Sequence, residues 1–314
     1  MPRHEARERF APDDDEEEDE RITRPAPAEE VPDLSDLPED WQEVVLRSLE
    51  ARKTESVKRE DEDRKTLDEV FDRSTLLVLY KMISNGFLET IDYPVSTGKE
   101  ANVFHATTPQ GGSLAVKIFR TNTATFRSFM TYIAGDPRFG NVRPNRRDIV
   151  YVWAQKEYKN LQRYVEAGVR VPNPIAWRQN VLLMEFVGTN GAPAPRLKDA
   201  PYDDPKALYQ TLIGQYRLGS EQGGLVHGDF SEFNILHPEG GEPIVIDVAQ
   251  AVLSSHPMAR DLLVRDAKNI STYFRKQGLK VTPEETLKAI APPARAAVPI
   301  DKPPREEEAD EEEE

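Results

Sequence analysis

The chain has 314 residues, a formal net charge of −15 and no cysteine, which excludes a disulfide scaffold, a thiolate nucleophile and cysteine-ligated zinc. Five scattered histidines without an HxxxH pair leave little for a zinc site, and no long apolar run or charged-then-apolar N-terminus marks a membrane span or a secretory signal. The expectation is a cytoplasmic protein with no membrane partner, and its length is ample for one large core or two lobes.

The acidity is confined to the ends. Residues 1–40 hold 16 acids against 5 bases and residues 301–314 hold 9 against 2, which leaves a body of small net positive charge. Asp13 to Glu20 is an unbroken acidic run and Glu311 to Glu314 another. Such composition buries too little apolar surface to offset chain entropy, so 1–40 and 291–314 are predicted to be disordered tails, as solvating arms or as partner-binding or autoinhibitory ones.

From about residue 64 the text becomes periodic. Leu67, Val70, Phe71, Leu76, Leu77, Leu79, Tyr80 and Ile83 recur at helical spacing until Gly86, giving a helical extension over 41–90. Strand-like runs follow at Ile91–Val95, Asn102–Thr107 and Leu114–Phe119, broken by Ser96-Thr97-Gly98-Lys99 and Pro109-Gln110-Gly111-Gly112, as in an antiparallel meander. Residues 120–148 read as a polar, arginine-rich flexible loop, and Ile149–Ala167 as a helix closed by Gly168. Strands Ile175–Arg178 and Val181–Val187 complete a first lobe over 91–187.

Gly188 to Pro205 reads as a linker into a second lobe over 188–290. There, helices at Lys206–Gln222 and Met258–Lys276 flank short strands at Leu225–His227, Ile235–His237 and Ile244–Asp247. Strands with one helix, then mostly helices, is a two-lobed α+β plan whose ligand site is expected between the lobes.

The chemistry concentrates in Val226-His227-Gly228-Asp229-Phe230-Ser231-Glu232-Phe233-Asn234-Ile235-Leu236. A carboxylate and an amide five residues apart, between apolar ends, suit one loop that presents a base, Asp229, and a metal ligand, Asn234. Ile246-Asp247-Val248 places another carboxylate after an apolar run, and Asn234 with Asp247 supplies hard oxygens suited to Mg²⁺. Phosphoryl transfer needs chiefly a cation clamp and a positioned nucleophile, which this set provides. Upstream, Ala115-Val116-Lys117-Ile118 puts a cation in an apolar strand, and Glu157 follows 40 residues later on a helix, a spacing that suits a Lys–Glu pair orienting a phosphate. The segment Ser96-Thr97-Gly98-Lys99-Glu100 between two strands is suited to cover phosphates, although it matches neither Walker A nor GxGxxG. His227 reads as a residue that holds the loop by hydrogen bonds.

With these residues assembled, the sequence resembles the RIO family of atypical protein kinases, Rio-one branch, from about residue 64 to 276. The phrases that carry the likeness are STGKEANVFHA, LAVKIFR, WAQKEYKNL, VPNPI, VLLMEFVG, LVHGDFSEFNIL, IVIDVAQAV and HPMARDLLVRDAKNI. No winged-helix pattern of the Rio-two kind precedes them, and the short chain with acidic tails suits an archaeal source. The resemblance implies an α+β, two-lobed protein-kinase-like fold with an antiparallel sheet in the N-lobe, a mainly helical C-lobe and no activation loop.

The same resemblance implies ATP and Mg²⁺ as cofactors. Ser96, Thr97, Gly98, Lys99 and Glu100 would bind phosphates, Lys117 would contact them with Glu157 orienting it, and Met184, Glu185 and Phe186 would meet adenine. Asp229 would be the catalytic aspartate, Asn234 and Asp247 the metal ligands, and Asp247 also the acceptor of an aspartyl-phosphate. Gly228 stands where ordinary protein kinases have Arg, Val248-Ala249 replaces Phe-Gly, and only ten residues lead from Asp247 to Pro257. A serine/threonine kinase or ATPase acting in late maturation of the small ribosomal subunit is the implied role, with pre-subunit rRNA and ribosomal proteins as partners.

Two rivals stand beside it. An aminoglycoside-phosphotransferase-like small-molecule kinase shares the HGD…N pattern but not STGKEAN, and a non-catalytic nucleotide-binding scaffold would not need the full set of site residues. The arginines Arg120, Arg127, Arg138, Arg143, Arg146 and Arg147, interleaved with Phe126, Phe129, Tyr132 and Phe139, fit either rRNA docking or a flexible loop with solvated charges.

Overall fold

The computed structural model describes residues 71–122, 126–140, 142 and 145–291. The expected N-terminal tail, the periodic positions Leu67 and Val70, Arg143 and all but the first residue of the expected C-terminal tail lie outside these residues.

The chain divides into two compact units. The first comprises residues up to Leu161 together with Pro172–Ala194, and the second Gln162–Val171 with the residues from Pro195 onward.

In the first unit, helix α1 (Arg73–Ser84) precedes strands β1 (Thr90–Thr97), β2 (Ala101–Thr107) and β3 (Ser113–Phe119). Asp72 starts the helix by accepting the Thr75 amide at 2.8 Å, satisfying a donor that the first turn leaves over. Strands β4 (Pro174–Arg178) and β5 (Val181–Glu185) complete an antiparallel sheet in the order β1-β2-β3-β5-β4. Val78, Leu79 and Met82 of α1 pack with Phe104, Leu114, Val116, Ile118 and Leu183 of the sheet. Because side chains alternate along a strand, seating Val116 and Ile118 in this core turns Lys117 to the opposite face.

The stretch expected as a flexible loop is instead built from helix α2 (Phe126–Ile133), a short 3₁₀ turn (Pro137–Phe139) and the start of α3 (Arg146–Glu166). Aromatic rings hold it: Phe129, on the apolar stripe of α2 with Phe126, Met130 and Ile133, stacks on Trp153 of α3 at 4.4 Å and 6°, with Tyr132 at 5.8 Å from the same ring. Arg138 forks onto the fully buried Asp136 carboxylate at 2.9 and 2.7 Å and reaches Asn160 Oδ1 at 2.9 Å. That arginine is an internal counter-ion, whereas Arg127, Arg146 and Arg147 of the same set are exposed and Arg120 is half-buried.

The expected linker is also ordered. A hairpin of β6 (Gly188–Thr189) and β7 (Ala192–Pro193) occupies its first part. In the second unit, Leu197 is fully buried and donates its amide to Ile235 O at 2.8 Å.

The second unit carries α4 (Pro205–Glu221), β8 (Leu225–Val226), β9 (Ile235–Leu236), β10 (Ile244–Val245), a 3₁₀ turn (Val248–Gln250), β11 (Val252–Leu253), α5 (Ala259–Lys276) and α6 (Pro283–Ile290). Asp204 caps α4 in front of a proline at its first turn, and Thr282 with Glu285 forms a capping box on α6, a helix absent from the sequence reading. Short antiparallel pairs β8–β11 and β9–β10 hold the two ends of the loop from His227 to Asn234.

Candidate active site

In the first unit, β3 brings Lys117 to the face on which α3 presents Glu157. Glu157 lies on the same helical stripe as the buried Trp153, Ala154, Asn160 and Leu161, so its carboxylate turns inward. Lys117 Nζ meets Glu157 Oε1 at 2.6 Å, with side chains 7% and 2% exposed. The spacing of 40 residues expected from sequence is thus a direct ion pair, and such a pair, dry on both sides, fixes the ammonium where a phosphate can meet it.

Ser96 and Thr97 belong to the end of β1, and Gly98, Lys99 and Glu100 make the turn into β2. The turn is tight: a side chain at Gly98 would come within 3.0 Å of Ala101 O. Asn102 Oδ1 accepts the Gly98 amide at 3.0 Å, a contact absent from the sequence reading. At the expected adenine segment, Met184 and Glu185 pair with Ala115 and Leu114, and the Phe186 ring stands edge-on to His105 at 4.7 Å. The Glu185 carboxylate accepts the Asn173 amide at 3.1 Å, so that side chain is engaged in tying β5 to the residue before β4.

Next to Glu157, Lys156 is fully buried with its ammonium 5.7 Å from the Trp153 ring centre. Burial and then the neighbouring Arg138 charge push its pKa down to about 7, against the pull of Asp136 and Glu157.

In the second unit, Asn234 donates its Nδ2 to Asp229 Oδ2 at 2.7 Å and to Asp229 O at 2.9 Å. Its amide nitrogen is thereby engaged, which leaves Oδ1 as the atom suited to a cation. Pairing of β9 with β10 continues as Ile246 N donating to Asn234 O at 3.0 Å, which sets Asp247 one residue past the loop's end. Asp247 adopts φ 58° and ψ 54°, left-handed backbone that costs a side-chain-bearing residue about 1–3 kcal/mol and is found mainly where geometry serves a site. Its carboxylate does not cap the following 3₁₀ turn.

His227 is 1% exposed. Its Nδ1 accepts the Asp229 amide at 3.2 Å, which leaves Nε2 as the protonated nitrogen donating to Ile246 O at 3.1 Å. The ring therefore braces the two backbones, as expected of a holding residue rather than a base. Gly228 has φ 81°, a left-handed backbone that side-chain-bearing residues rarely adopt, which gives a conformational reason for glycine where ordinary kinases carry arginine.

The residue that sequence reasoning missed is Asp266. Fully buried on α5, it accepts Gly228 N at 2.7 Å, Phe230 N at 2.8 Å and the Tyr216 hydroxyl at 2.7 Å. Burial raises its pKa even though these donors and the nearby His227 oppose the shift. It grips the amides on both sides of Asp229. The signal was present: an acid four residues after Leu262 and four before Ile270, on the buried stripe of its helix.

Among the described residues no three His, Cys, Asp or Glu side chains converge on a metal position. A mixed oxygen set of one amide and one carboxylate, completed by phosphates and water, is nevertheless a set that Mg²⁺ accepts, and Asn234 Oδ1 with Asp247 fits it. No helix among the described residues is long and apolar enough to cross a membrane.

The RIO domain family matches residues 102–287. Over 251 residues the chain is 39% identical to the RIO-type serine/threonine-protein kinase Rio1 of Haloferax volcanii, covering 76% of this chain and 86% of that protein. It is 39% identical over 237 residues to the human serine/threonine-protein kinase RIO1, covering 74% of this chain but 42% of the longer human one. Among solved structures, the Rio2 kinase–ADP/Mg²⁺–phosphoaspartate complex of Chaetomium thermophilum matches with a TM-score of 0.56 at 21% identity, over 82% of this chain and 88% of that one, a likeness of fold. With the fold shared and the sequence matched across most of its described body, the chain belongs to the RIO family of serine/threonine-protein kinases, in its Rio1 branch.

Proposed function

We propose that the chain binds Mg-ATP and transfers its γ-phosphate to a protein hydroxyl, to Asp247 or to water, in a cytoplasmic setting of late small-ribosomal-subunit maturation. The observation that carries this reading is the Asp229–Asn234 hydrogen bond at 2.7 Å in a loop whose backbone is fixed on both sides of Asp229. Asp229 takes the proton of the attacking hydroxyl or water as the new P–O bond forms and the bond to ADP breaks. Lys117, held by Glu157, meets the phosphates, with the turn from Ser96 to Glu100 over them. Mg²⁺, when bound through Asn234 and Asp247, would offset phosphate charge. The phosphoaspartate named for the Rio2 complex supports Asp247 as an acceptor.

For the ribosomal partner, support comes from Arg127, Arg146 and Arg147, all exposed, with the guanidinium groups of the first two 5.8 and 4.9 Å from the Phe126 ring centre. Exposed arginines beside an aromatic ring suit nucleic-acid phosphates and bases.

The test follows γ-labelled phosphate from Mg-ATP, with and without small ribosomal subunits, beside Asp229→Asn. Label released to water or held transiently on Asp247 and stimulated by subunits indicates an assembly ATPase, and stable label on a protein hydroxyl indicates a protein kinase. Asp229→Asn should lower turnover by about 100-fold or more while ATP binding changes only a few-fold. Equal turnover in that variant would refute the assignment of Asp229.

A further inference from the structure

On the sheet of the first unit, an aspartate, a histidine and a serine with no part in nucleotide binding stand in line. A bulge in β1 inserts Asp92 between Ile91, opposite Ala106, and Tyr93, opposite His105, so that Asp92 and Tyr93 both meet the imidazole. Asp92 Oδ2 lies 2.6 Å from His105 Nδ1, and His105 Nε2 lies 3.0 Å from Ser113 Oγ at the start of β3. Thr90 donates its hydroxyl to Asp92 Oδ1 at 2.7 Å, and Thr107 donates to Oδ2 at 2.9 Å. Burial alone would raise the Asp92 carboxyl, but the hydrogen bonds from Thr90, His105 and Thr107 hold it below its ordinary value, so it is ionised. An ionised carboxylate only accepts, so Nδ1 carries the proton of the neutral ring and Nε2 accepts the Ser113 hydroxyl. The buried ring is clamped between Tyr93, stacked on it at 4.9 Å and 3°, and the edge-on Phe186, whereas Ser113 is exposed. Ser113 precedes Lys117 by four residues on the same face of β3, about 13 Å along the strand and clear of the phosphate contact.

We propose that Ser113 is a nucleophilic serine that accepts an acyl group from an activated ester, with His105 as its base and Asp92 as the residue that orients that base. The order of hydroxyl, Nε2, Nδ1 and carboxylate is the one that activates a serine otherwise weakly nucleophilic at neutral pH. Ser113 Oγ attacks the carbonyl carbon and its proton passes to His105 Nε2. The bond to the leaving group then breaks as that proton is handed on, which gives an acyl-serine and a free alcohol. Asp92 balances the imidazolium that forms between these steps. The amides of Gly111 and Gly112 beside Ser113 are donated within the turn, to Thr108 O and Thr108 Oγ1, so they are not set to receive an oxyanion. The reaction is therefore a single self-acylation by esters with good leaving groups, and its product is a modified serine. A carboxylate–imidazole pair that merely stitched the sheet would leave Ser113 no more reactive than the other exposed serines.

The experiment exposes the full chain, without nucleotide, to 4-nitrophenyl acetate, follows nitrophenolate release and maps the acetyl groups by peptide mass spectrometry, for the wild type, Asp92→Asn, His105→Gln and Ser113→Ala. In the wild type, Ser113 should be acetylated about 100-fold or more faster than any other serine of the chain, the gain that a positioned base supplies. Asp92→Asn, which keeps the shape of the side chain, should slow acetylation of Ser113 about tenfold or more, and His105→Gln should bring it down to the rate of the other serines. Ser113→Ala should remove the fast phase of nitrophenolate release. Melting curves of each variant separate loss of the base from loss of the fold, and the comparison among serines within the wild type stands even where a variant does not fold. Acetylation of Ser113 no faster than that of other exposed serines overturns the proposal, as does fast acetylation that survives in folded His105→Gln.

Discussion

The two units hold their candidate site residues by different means. In the first unit, Lys117 is fixed directly, side chain to side chain, by Glu157 at 2.6 Å. In the second, Asp229 is fixed through its backbone: Asp266 grips the amides of Gly228 and Phe230, and His227 accepts the amide of Asp229 itself. A cation that meets a phosphate needs a fixed charge, which one ion pair supplies. A base that must gain and lose a proton needs a carboxylate oxygen left available, and here Asn234 holds only Oδ2 while the flanking backbone is anchored by Asp266. Direct pairing is visible as a motif, whereas backbone anchoring comes from a residue remote in sequence.

The strongest way to break this comparison is Asp266→Ala, which leaves two amides and the Tyr216 hydroxyl without their acceptor. Chemical denaturation should show a loss of about 3–5 kcal/mol, and turnover should fall about 100-fold. KM for ATP should stay within about threefold, since the loss falls on the loop that presents the base. A proportional loss of ATP affinity would mean that Asp266 supports the whole fold rather than Asp229.

Glu157→Gln tests the direct pair. It removes the carboxylate charge that Lys117 meets at 2.6 Å and should cost about 2–4 kcal/mol of stability, with weaker ATP binding in a titration. Wild-type stability and affinity together would show that the pair contributes little.

The smallest effect, and one of opposite sign, is expected at the neighbouring position. Lys156 has its pKa depressed in the folded state, so between about pH 7 and the ordinary lysine range the unfolded chain binds the additional proton. The cost of burying its charge is therefore fully present below pH 7 and is relieved as pH rises. Lys156→Met should raise stability by about 1–2 kcal/mol at pH 6, and melting curves should show the gain shrinking toward pH 10. A gain independent of pH would assign the effect to packing alone.

Much of the site was legible because its members fall in short phrases. Asp229 and Asn234 share one loop, and Asp247 follows an apolar run. Lys117 was legible as a charge inside an apolar strand. Helix α2 was legible but overlooked: Phe126, Phe129, Met130 and Ile133 stand at i, i+3, i+4 and i+7, and the arginines around them drew the reading toward a loop, while the Phe129–Trp153 stack that holds it is a contact across the chain. The hairpin at 188–193 was hidden by Gly, Ala and Pro, residues that a linker and a tight turn share. Arg138 was grouped with the exposed arginines since nothing local reports that Asp136 and Asn160 enclose it.

Sequence by itself determined the charge segregation, the strand and helix alternation, the family, and which side chains are the candidates for the chemistry, because periodicity and short motifs are local properties of the chain. Only the tertiary structure decided that Asp266 holds the amides on both sides of Asp229, that Asn102 holds the Gly98 amide, and that one arginine of the basic segment is internal. The physical reason is common to all three. A buried polar group is defined by the partners that folding brings to it, and those partners stand 36 residues away for Asp266 and Phe230, 22 for Arg138 and Asn160, and, for Asn102, across a turn whose geometry a string of residue types does not specify.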